Sequence, residues 1–410
     1  MFLTDLSLTN FRAYTRLDIE VPRRVVLLLG NNAQGKTSLL EAIYYLATFT
    51  SFHTQNDRQL INFLAGGDEL AVTRIVAGYQ RGERRHRLEV RLIQDTNGNG
   101  GTRLRKEILS DGVKSTAQGA LGNFNAVIFL PQMTRIIEGG PEERRRYLNL
   151  TISQAMPGYA QALGEYSQVL SQRNALLKLL AERGGDPEQL VYWDDLLAQK
   201  GATLIFQRIH AVHELEQVAR RIHHRLSHGN EILRLDYRPS YDPVPPVEGQ
   251  YSLPLDAPVD RTNIKPEQIR QGFLQRLQAI HREEIARGVT TVGPHRDELR
   301  FLSSGVDLGD YGSRGQVRTA LLSLKLAEVD WLKSKTGEWP VLLLDEILAE
   351  LDTQRRSDLL NAVHDSEQAL LTTTDLNLFP PAFSRCVHLW RVESGRVRVE
   401  TLPDAGEMEG

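Results

Sequence analysis

The stretch Val25-Val26-Leu27-Leu28-Leu29-Gly30-Asn31-Asn32-Ala33-Gln34-Gly35-Lys36-Thr37-Ser38 decides how the rest of the chain is read. It opens on an unbroken apolar run, as expected of a central strand covered on both faces. Gly30 to Thr37 then follow the pattern glycine, four residues, glycine-lysine-threonine. From Thr37 to about Thr48 the apolar residues Leu39, Leu40, Ile43, Tyr44, Leu46 and Ala47 predict a helix. Strand, glycine-bearing loop and helix together form a phosphate-binding unit. Glycines let backbone N–H groups approach anionic oxygens, the helix N-terminus adds its dipole, and Lys36 brings a positive charge to the β- and γ-phosphates. Thr37 offers Mg2+ a hydroxyl. Gly30, Asn31, Asn32, Ala33, Gln34, Gly35, Lys36, Thr37 and Ser38 are the expected nucleotide-binding segment.

Such a site needs a carboxylate at the end of a neighbouring strand, and Val341-Leu342-Leu343-Leu344-Asp345-Glu346 supplies one. Asp345 is expected to orient magnesium or its waters, and Glu346 to polarise a water toward the γ-phosphorus. Hydrolysis of this kind is phosphoryl transfer to water with no covalent enzyme intermediate. The histidines at 210, 213, 223 and 224 fall on a predicted helix and read as packing or solvated residues, because no motif of metal ligands accompanies them.

Outward from these motifs, residues 2–8 and 17–21 read as strands joined by the polar segment Asn10-Phe11-Arg12-Ala13-Tyr14. Strand-like pieces at 70–76, 86–93 and 103–109 predict an antiparallel subsheet, with Asn97-Gly98-Asn99-Gly100-Gly101 as a hairpin tip. From about 141 the periodicity becomes helical, with one stripe at Leu163, Tyr166, Leu170, Leu177 and Leu180 and a second helix over about 193–227. Gly184-Gly185-Asp186-Pro187 separates them. Residues 239–260 read as an irregular loop, and 266–287 as a further helix. The predicted architecture is α/β: an ATPase core made of residues 1–115 and 288–410, carrying an antiparallel subsheet and interrupted by an inserted helical domain, 116–287.

The chain has 410 residues, 41% hydrophobic, with a formal net charge of -3. That length admits two or three domains with sizeable cores. A single cysteine, Cys386, excludes an internal disulfide framework and fits a reducing cytosol. The N-terminal residues lack a secretory pattern and no apolar run approaches membrane-spanning length, so a cytoplasmic protein with no membrane partner is expected. The overall charge does not advertise nucleic acid. Local clusters at Arg81, Arg84, Arg85, Arg87 and Arg91, at Arg103, Arg105 and Lys106, and at Arg144, Arg145 and Arg146 read either as solvated faces or as parts of a positive surface.

Several separated elements resemble one family, the SMC branch of the ABC-type ATPases, and within it the bacterial RecF recombination proteins. Asn10 to Tyr14 is similar to their N-terminal motif, Gly30 to Thr37 to their phosphate loop, and Asp345-Glu346 to their second nucleotide motif. Ser313-Arg314-Gly315-Gln316 resembles the ABC signature, and Ala349-Glu350-Leu351-Asp352 the loop after the catalytic acid. Phe129-Leu130-Pro131-Gln132, Ile137 to Asn149 and Gly293-Pro294-His295-Arg296-Asp297-Glu298-Leu299 are similar to segments particular to RecF. The resemblance implies that Arg12 helps hold nucleotide and that Gln132 senses magnesium or the attacking water. It implies that Ser313, Arg314, Gly315 and Gln316 close over ATP held by a second copy, with Asp352 near that copy's catalytic centre. A switch histidine is not evident after Leu370-Leu371-Thr372-Thr373-Thr374-Asp375, where Thr374 or Asp375 occupies the place.

With ATP and Mg2+ as cofactors, the resemblance implies an ATP-dependent homodimer and weak, DNA-stimulated ATP hydrolysis. It implies binding to double-stranded DNA and single-strand/double-strand junctions, with RecR and the RecO and RecA pathway, to load recombinase at gaps in repair and replication restart. An SMC-like clamp would need longer coiled coils than this insert holds, and a transporter motor would need a membrane subunit. A nuclease-associated repair ATPase is the remaining rival.

Overall fold

The computed structural model describes residues 1–65, 70–96, 102–244 and 259–400. The predicted hairpin tip at 97–101 and most of the predicted loop at 239–260 lie outside them. The chain divides into two compact units, one of residues 1–132 and 332–410, the other of residues 133–331.

The first unit contains both halves of the nucleotide core. Strands β1 (Phe2–Phe11), β2 (Tyr14–Glu20), β4 (Leu70–Arg81), β5 (Arg84–Thr96), β6 (Thr102–Ser110) and β7 (Val113–Ser115) form an antiparallel sheet in the order β2-β1-β4-β5-β6-β7. The polar segment expected to join the first two strands is shorter than the sequence suggests. Asn10 and Phe11 continue β1, and Phe11 pairs directly with Tyr14 across an Arg12-Ala13 turn. Arg12 takes φ +51°, the left-handed conformation that such a tight hairpin turn requires.

A second, mixed sheet has the order β15-β14-β3-β13-β12-β8, built from β3 (Arg24–Leu29), β8 (Ala126–Phe129), β12 (Val341–Asp345), β13 (Gln368–Thr373), β14 (His388–Glu393) and β15 (Arg396–Glu400). Only β15 runs antiparallel to its neighbour. The apolar strands β3, β8, β12 and β13 are buried on both faces, as continuous Val, Ile and Leu runs demand. Helix α1 (Lys36–Thr48) packs against strands of both sheets, which buries nearly its whole surface, while α2 (Ala117–Ala120), α11 (Thr353–Asp365) and α12 (Pro381–Ser384) complete the unit.

The second unit holds α3 (Arg135–Glu138), α4 (Pro141–Ala155), α5 (Tyr159–Arg183), α6 (Leu190–Leu226), α7 (Pro266–Ala279), α8 (His281–Arg287), α9 (Leu308–Tyr311) and most of α10 (Arg314–Thr336). Its three-stranded sheet has the order β11-β10-β9, from β9 (Leu233–Arg238), β10 (Glu298–Ser303) and β11 (Val306–Asp307). The stripe expected on α5 contains a charge: Arg173 is fully buried, pairing with Asp194 at 2.7 Å and Glu284 at 2.7 Å. A buried cation is tolerated because both carboxylates neutralise it.

The expected boundaries at 115/116 and 287/288 therefore move. Residues 116–132 belong to the core, since β8 pairs with β12 in parallel register. Residues 288–331 group with the helical unit instead, because β10 pairs along its length with β9. β9 follows α6 after a short turn, and its alternation Leu233-Arg234-Leu235-Asp236-Tyr237-Arg238 was the available signal.

Candidate nucleotide site and signature segment

β3 delivers the chain to Gly30, where a Cβ would lie 2.3 Å from the Val392 carbonyl oxygen; only glycine fits so close to β14. Ala33 at φ +63° and Gly35 at φ +111° then bend the loop into the N-terminus of α1. The loop is held from outside by two contacts. The buried Tyr14 hydroxyl donates to the Gly35 carbonyl at 3.0 Å, and burial pushes that phenol well above its ordinary pKa, so it remains a donor. At the β14–β15 turn, the Ser394 amide donates to the Gln34 Oε1 at 2.7 Å and the Gly395 amide to the Gln34 carbonyl at 3.0 Å. Because N–H and C=O point oppositely across a trans peptide, fixing these carbonyls aims the Gly35 and Lys36 amides the other way.

A cavity of about 270 Å³ is lined by Ala13, Asn32, Ala33, Gln34, Gly35, Lys36, Thr37, Ser38 and Glu346. Lys36 is 3% exposed; its Nζ donates to the carbonyls of Gly30 at 2.6 Å and Asn31 at 3.0 Å and lies 3.2 Å from Glu346 Oε1. The Thr37 hydroxyl lies 2.9 and 3.0 Å from the two carboxylate oxygens of Asp345. Burial pushes the Asp345 carboxyl above its ordinary pKa, partly offset by hydrogen bonds from Thr372 and Thr37. The structure thus brings Lys36, Thr37, Ser38, Asp345 and Glu346 together. Gly30 and Asn31 lie at the edge of the loop and do not line the cavity.

Thr372 is the residue that sequence reasoning missed. Its hydroxyl donates to Asp345 Oδ1 at 2.7 Å and accepts the Glu346 amide at 3.0 Å. β13 runs beside β12 with Thr372 in register with Asp345, so the first polar residue ending an apolar strand was the available signal. A switch candidate behaves differently. The Asp375 side chain caps a short turn by accepting the Asn377 amide at 2.9 Å.

Arg12 does not line the cavity. Its guanidinium grips buried Glu41 through two bonds of 2.8 Å and donates to the Gln59 carbonyl at 2.9 Å. Gln132 is exposed just beyond the end of β8, the strand beside β12. Asp352 is the N-cap of α11, accepting the Arg355 amide at 2.9 Å; that hydrogen bond, and then the Arg355 charge, hold its carboxyl below the ordinary range.

The signature lies in the second unit. Ser313 caps α10: its hydroxyl accepts the Gln316 amide at 3.2 Å, while Gln316 Oε1 accepts the Ser313 amide at 3.0 Å. This is a reciprocal capping box, the reason a serine followed three residues later by glutamine opens a helix. Ser313, Arg314 and Gly315 are exposed there, and a helix N-terminus with accessible amides is suited to an anion.

The arginine clusters are largely committed within the chain. Arg85 pairs with Asp5 at 2.9 Å, Arg91 with Glu89 at 2.5 Å, and Lys106 with Asp57 at 2.7 Å. Arg144 pairs with Glu298 at 2.8 Å, and Arg145 donates to the Asp297 carbonyl at 2.9 Å. The Arg85–Asp5 pair lies at the surface, whereas Arg144 is largely covered. Among the described residues, no helix is long and apolar enough to cross a membrane.

Comparison with known proteins gives one answer across the chain. Residues 2–398 match the family model described as RecF/RecN/SMC N terminal domain. A protein of Roseiflexus castenholzii named DNA replication and repair protein RecF is 40% identical over 97% of this chain and 99% of its own length. A protein of the same name from Chloroflexus aggregans is 39% identical over the same shares. A solved structure described as the recombination mediator protein RecF-ATP in the RecFOR pathway superposes with a TM-score of 0.80 at 30% identity, covering 98% of both chains. On the strength of the motifs, the architecture and these relatives together, the chain belongs to the RecF family of the RecF/RecN/SMC group.

Proposed function

We propose that the chain is an ATP-dependent DNA-binding protein of recombinational repair, which closes as a homodimer on ATP and reopens after slow hydrolysis. The observation that carries this reading is the convergence of Lys36, Thr37 and Glu346 at one loop-walled cavity, with Asp345 against Thr37. A relative of 30% identity is described with ATP, which supports the same nucleotide here.

Thr37 and Asp345 present adjacent hydroxyl and carboxylate oxygens, a donor set that suits Mg2+. When bound, the ion neutralises charge on the phosphate oxygens. Lys36, now lying against two loop carbonyls and Glu346, turns its ammonium to the β- and γ-phosphates. Glu346 polarises a water and takes up its proton: the water oxygen bonds to the γ-phosphorus as the bond to the β–γ bridging oxygen breaks, and ADP leaves with that electron pair. Thr372 orients both acids from behind, and Gln132 approaches the γ-phosphate end.

The exposed amides and hydroxyl of residues 313–315 belong to the site of a second copy, where they face the γ-phosphate, with Asp352 nearby. ATP then favours the closed dimer by the difference in its affinity for the two states, and hydrolysis removes that preference. Arg12 supports the nucleotide site from its seat on Glu41. The dimer engages double-stranded DNA and single-strand/double-strand junctions through phosphate contacts, so affinity falls steeply with salt. With RecR and the RecO and RecA pathway it promotes recombinase loading at gaps, in the cytoplasm. Helix α5 has 25 residues and α6 has 37, about 38 and 56 Å of helix at 1.5 Å per residue. Such dimensions suit a compact insert rather than a clamp arm.

Sedimentation velocity of the wild type and Glu346→Gln, with and without ATP and a short gapped duplex, tests the proposal. A species of dimer mass appears with ATP, persists in Glu346→Gln and carries DNA. Wild-type protein that stays monomeric with saturating ATP and DNA would refute it.

A further inference from the structure

Both arms of the Gln316 side chain are occupied. Its Oε1 completes the capping box with Ser313, and its Nε2 donates to Glu231 Oε1 at 3.0 Å. Glu231 lies in the turn between α6 and β9, far from every motif of the sequence. Its other oxygen is fixed from the interior: the Ser303 hydroxyl at the end of β10 donates to Oε2 at 2.8 Å, and His223 Nε2 lies 3.2 Å from the same atom. His223, on α6, is fully buried, and its Nδ1 lies 3.1 Å from the Ser323 hydroxyl on α10. Ser323 in turn donates to the Thr319 carbonyl of its own helix at 2.7 Å. Burial works against the charged carboxyl of Glu231, but the bonds from Gln316, Ser303 and His223 outweigh it and hold the group below the ordinary range.

We infer that Glu231 is the positioning residue of the signature segment: anchored by Ser303 and His223, it holds the Gln316 amide, and through it the Ser313 cap at the exposed start of α10. The inference rests on the reading of residues 313–315 as the part of the site offered to a second copy. It changes the role of Gln316, whose side chain is a strut that points inward. The groups left to meet an anion are the Ser313 hydroxyl and the amides at the helix start. A carboxylate close to a phosphate site would ordinarily repel it. Here that charge is met by the Gln316 amide, the Ser303 hydroxyl and the His223 ring and directed into the unit, so it orders the segment without opposing the anion. Without it Gln316 loses a fixed partner, and the Ser313 cap samples geometries that do not match a phosphate; a small misplacement of this kind is costly in a preorganised site.

Three variants are compared with the wild type: Glu231→Ala, Glu231→Gln and Glu231→Asp. Glutamine keeps an acceptor for Gln316, while aspartate keeps the charge but is one methylene short. The dimer dissociation constant with ATP is measured by sedimentation, ATP affinity under dilute monomeric conditions by calorimetry, and amide exchange is followed over residues 313–318. Glu231→Ala is expected to weaken the dimer about tenfold and raise exchange at the signature, with ATP affinity of the monomer unchanged. Glu231→Gln should recover to within about threefold of wild type, and Glu231→Asp should fall between. If Glu231→Ala fails to fold, Glu231→Asp carries the test through its weakened dimer and faster exchange. Wild type that dimerises while Glu231→Ala or Glu231→Asp dimerises equally well overturns the inference alone. Wild type that does not dimerise with ATP overturns the reading of the site, and this inference with it.

Discussion

The phosphate loop and the signature segment each open a helix whose first amides suit an anion, but the fold holds them in opposite ways. The phosphate loop is exposed from Asn31 to Ala33 but is gripped by its own unit from Gln34 to Lys36. Tyr14 holds Gly35, the Ser394–Gly395 turn holds Gln34, and Lys36 is buried among loop carbonyls. The signature segment is exposed from Ser313 to Gly315 and is tied to its unit through Gln316. A loop that must bind nucleotide in a single chain needs its donors fixed beforehand, since ordering them on binding would cost affinity. A segment that must meet another molecule has to stay on the surface, so its order comes from one side chain anchored beneath it.

The largest effect separating the two regions is expected at Lys36. Lys36→Met removes the only cation among the described cavity-lining residues and should weaken ATP binding about 100-fold or more, read by calorimetry on the monomer. Glu346→Gln comes next. ATP affinity stays, single-turnover hydrolysis falls about 100- to 10,000-fold, the usual range for losing a general base, and the dimer outlives its wild-type counterpart. Ser313→Arg should do the reverse of Lys36→Met: ATP affinity of the monomer within about twofold, but no ATP-dependent dimer, because the new side chain projects from an exposed capping position. A fully active monomeric Ser313→Arg protein would abolish the distinction between the regions.

A smaller change sharpens the comparison within the first unit. Tyr14→Phe deletes one hydrogen bond to the phosphate loop, worth about 1 kcal/mol, so ATP affinity should fall about fivefold while signature exchange is unchanged. Apart from nucleotide binding, a pH dependence of stability is expected in the second unit. Burial lowers His295 to about 4, and its ring lies 2.7 Å from the Tyr166 hydroxyl. A histidine with a depressed folded pKa favours the native state when neutral, so stability should be full above about pH 6.5 and decline as pH falls toward 4. His295→Gln should flatten that decline in thermal melts between pH 7 and 4.

Much of the nucleotide site was legible because each of its parts is a local pattern. An apolar run ending in Gly30, a lysine-threonine pair opening a helix, and two acids closing a second apolar run are read residue by residue along the chain. Thr372 was not, because its relation to Asp345 is lateral: two parallel strands must pair before a threonine and an aspartate far apart in sequence become neighbours. The partners of the arginine clusters were hidden for the same reason. Charges that look unopposed along the chain meet their carboxylates across strands, as Arg85 meets Asp5. The signature announced itself as a helix start, but the Glu231 anchor beneath it depends on a turn, a strand end and a buried histidine, none of which carries a motif.

By itself the sequence determined the family, the phosphate loop, the acids of β12 and the presence of a helical insert, since each depends on hydrophobic period or on spacing within one element. Tertiary structure alone decided where the units divide, which of the arginines are already neutralised, that Arg12 rests on Glu41, and that Gln316 faces inward. Those outcomes turn on pairings between strands and on side chains meeting in a buried interior, where distance along the chain says nothing about distance in space.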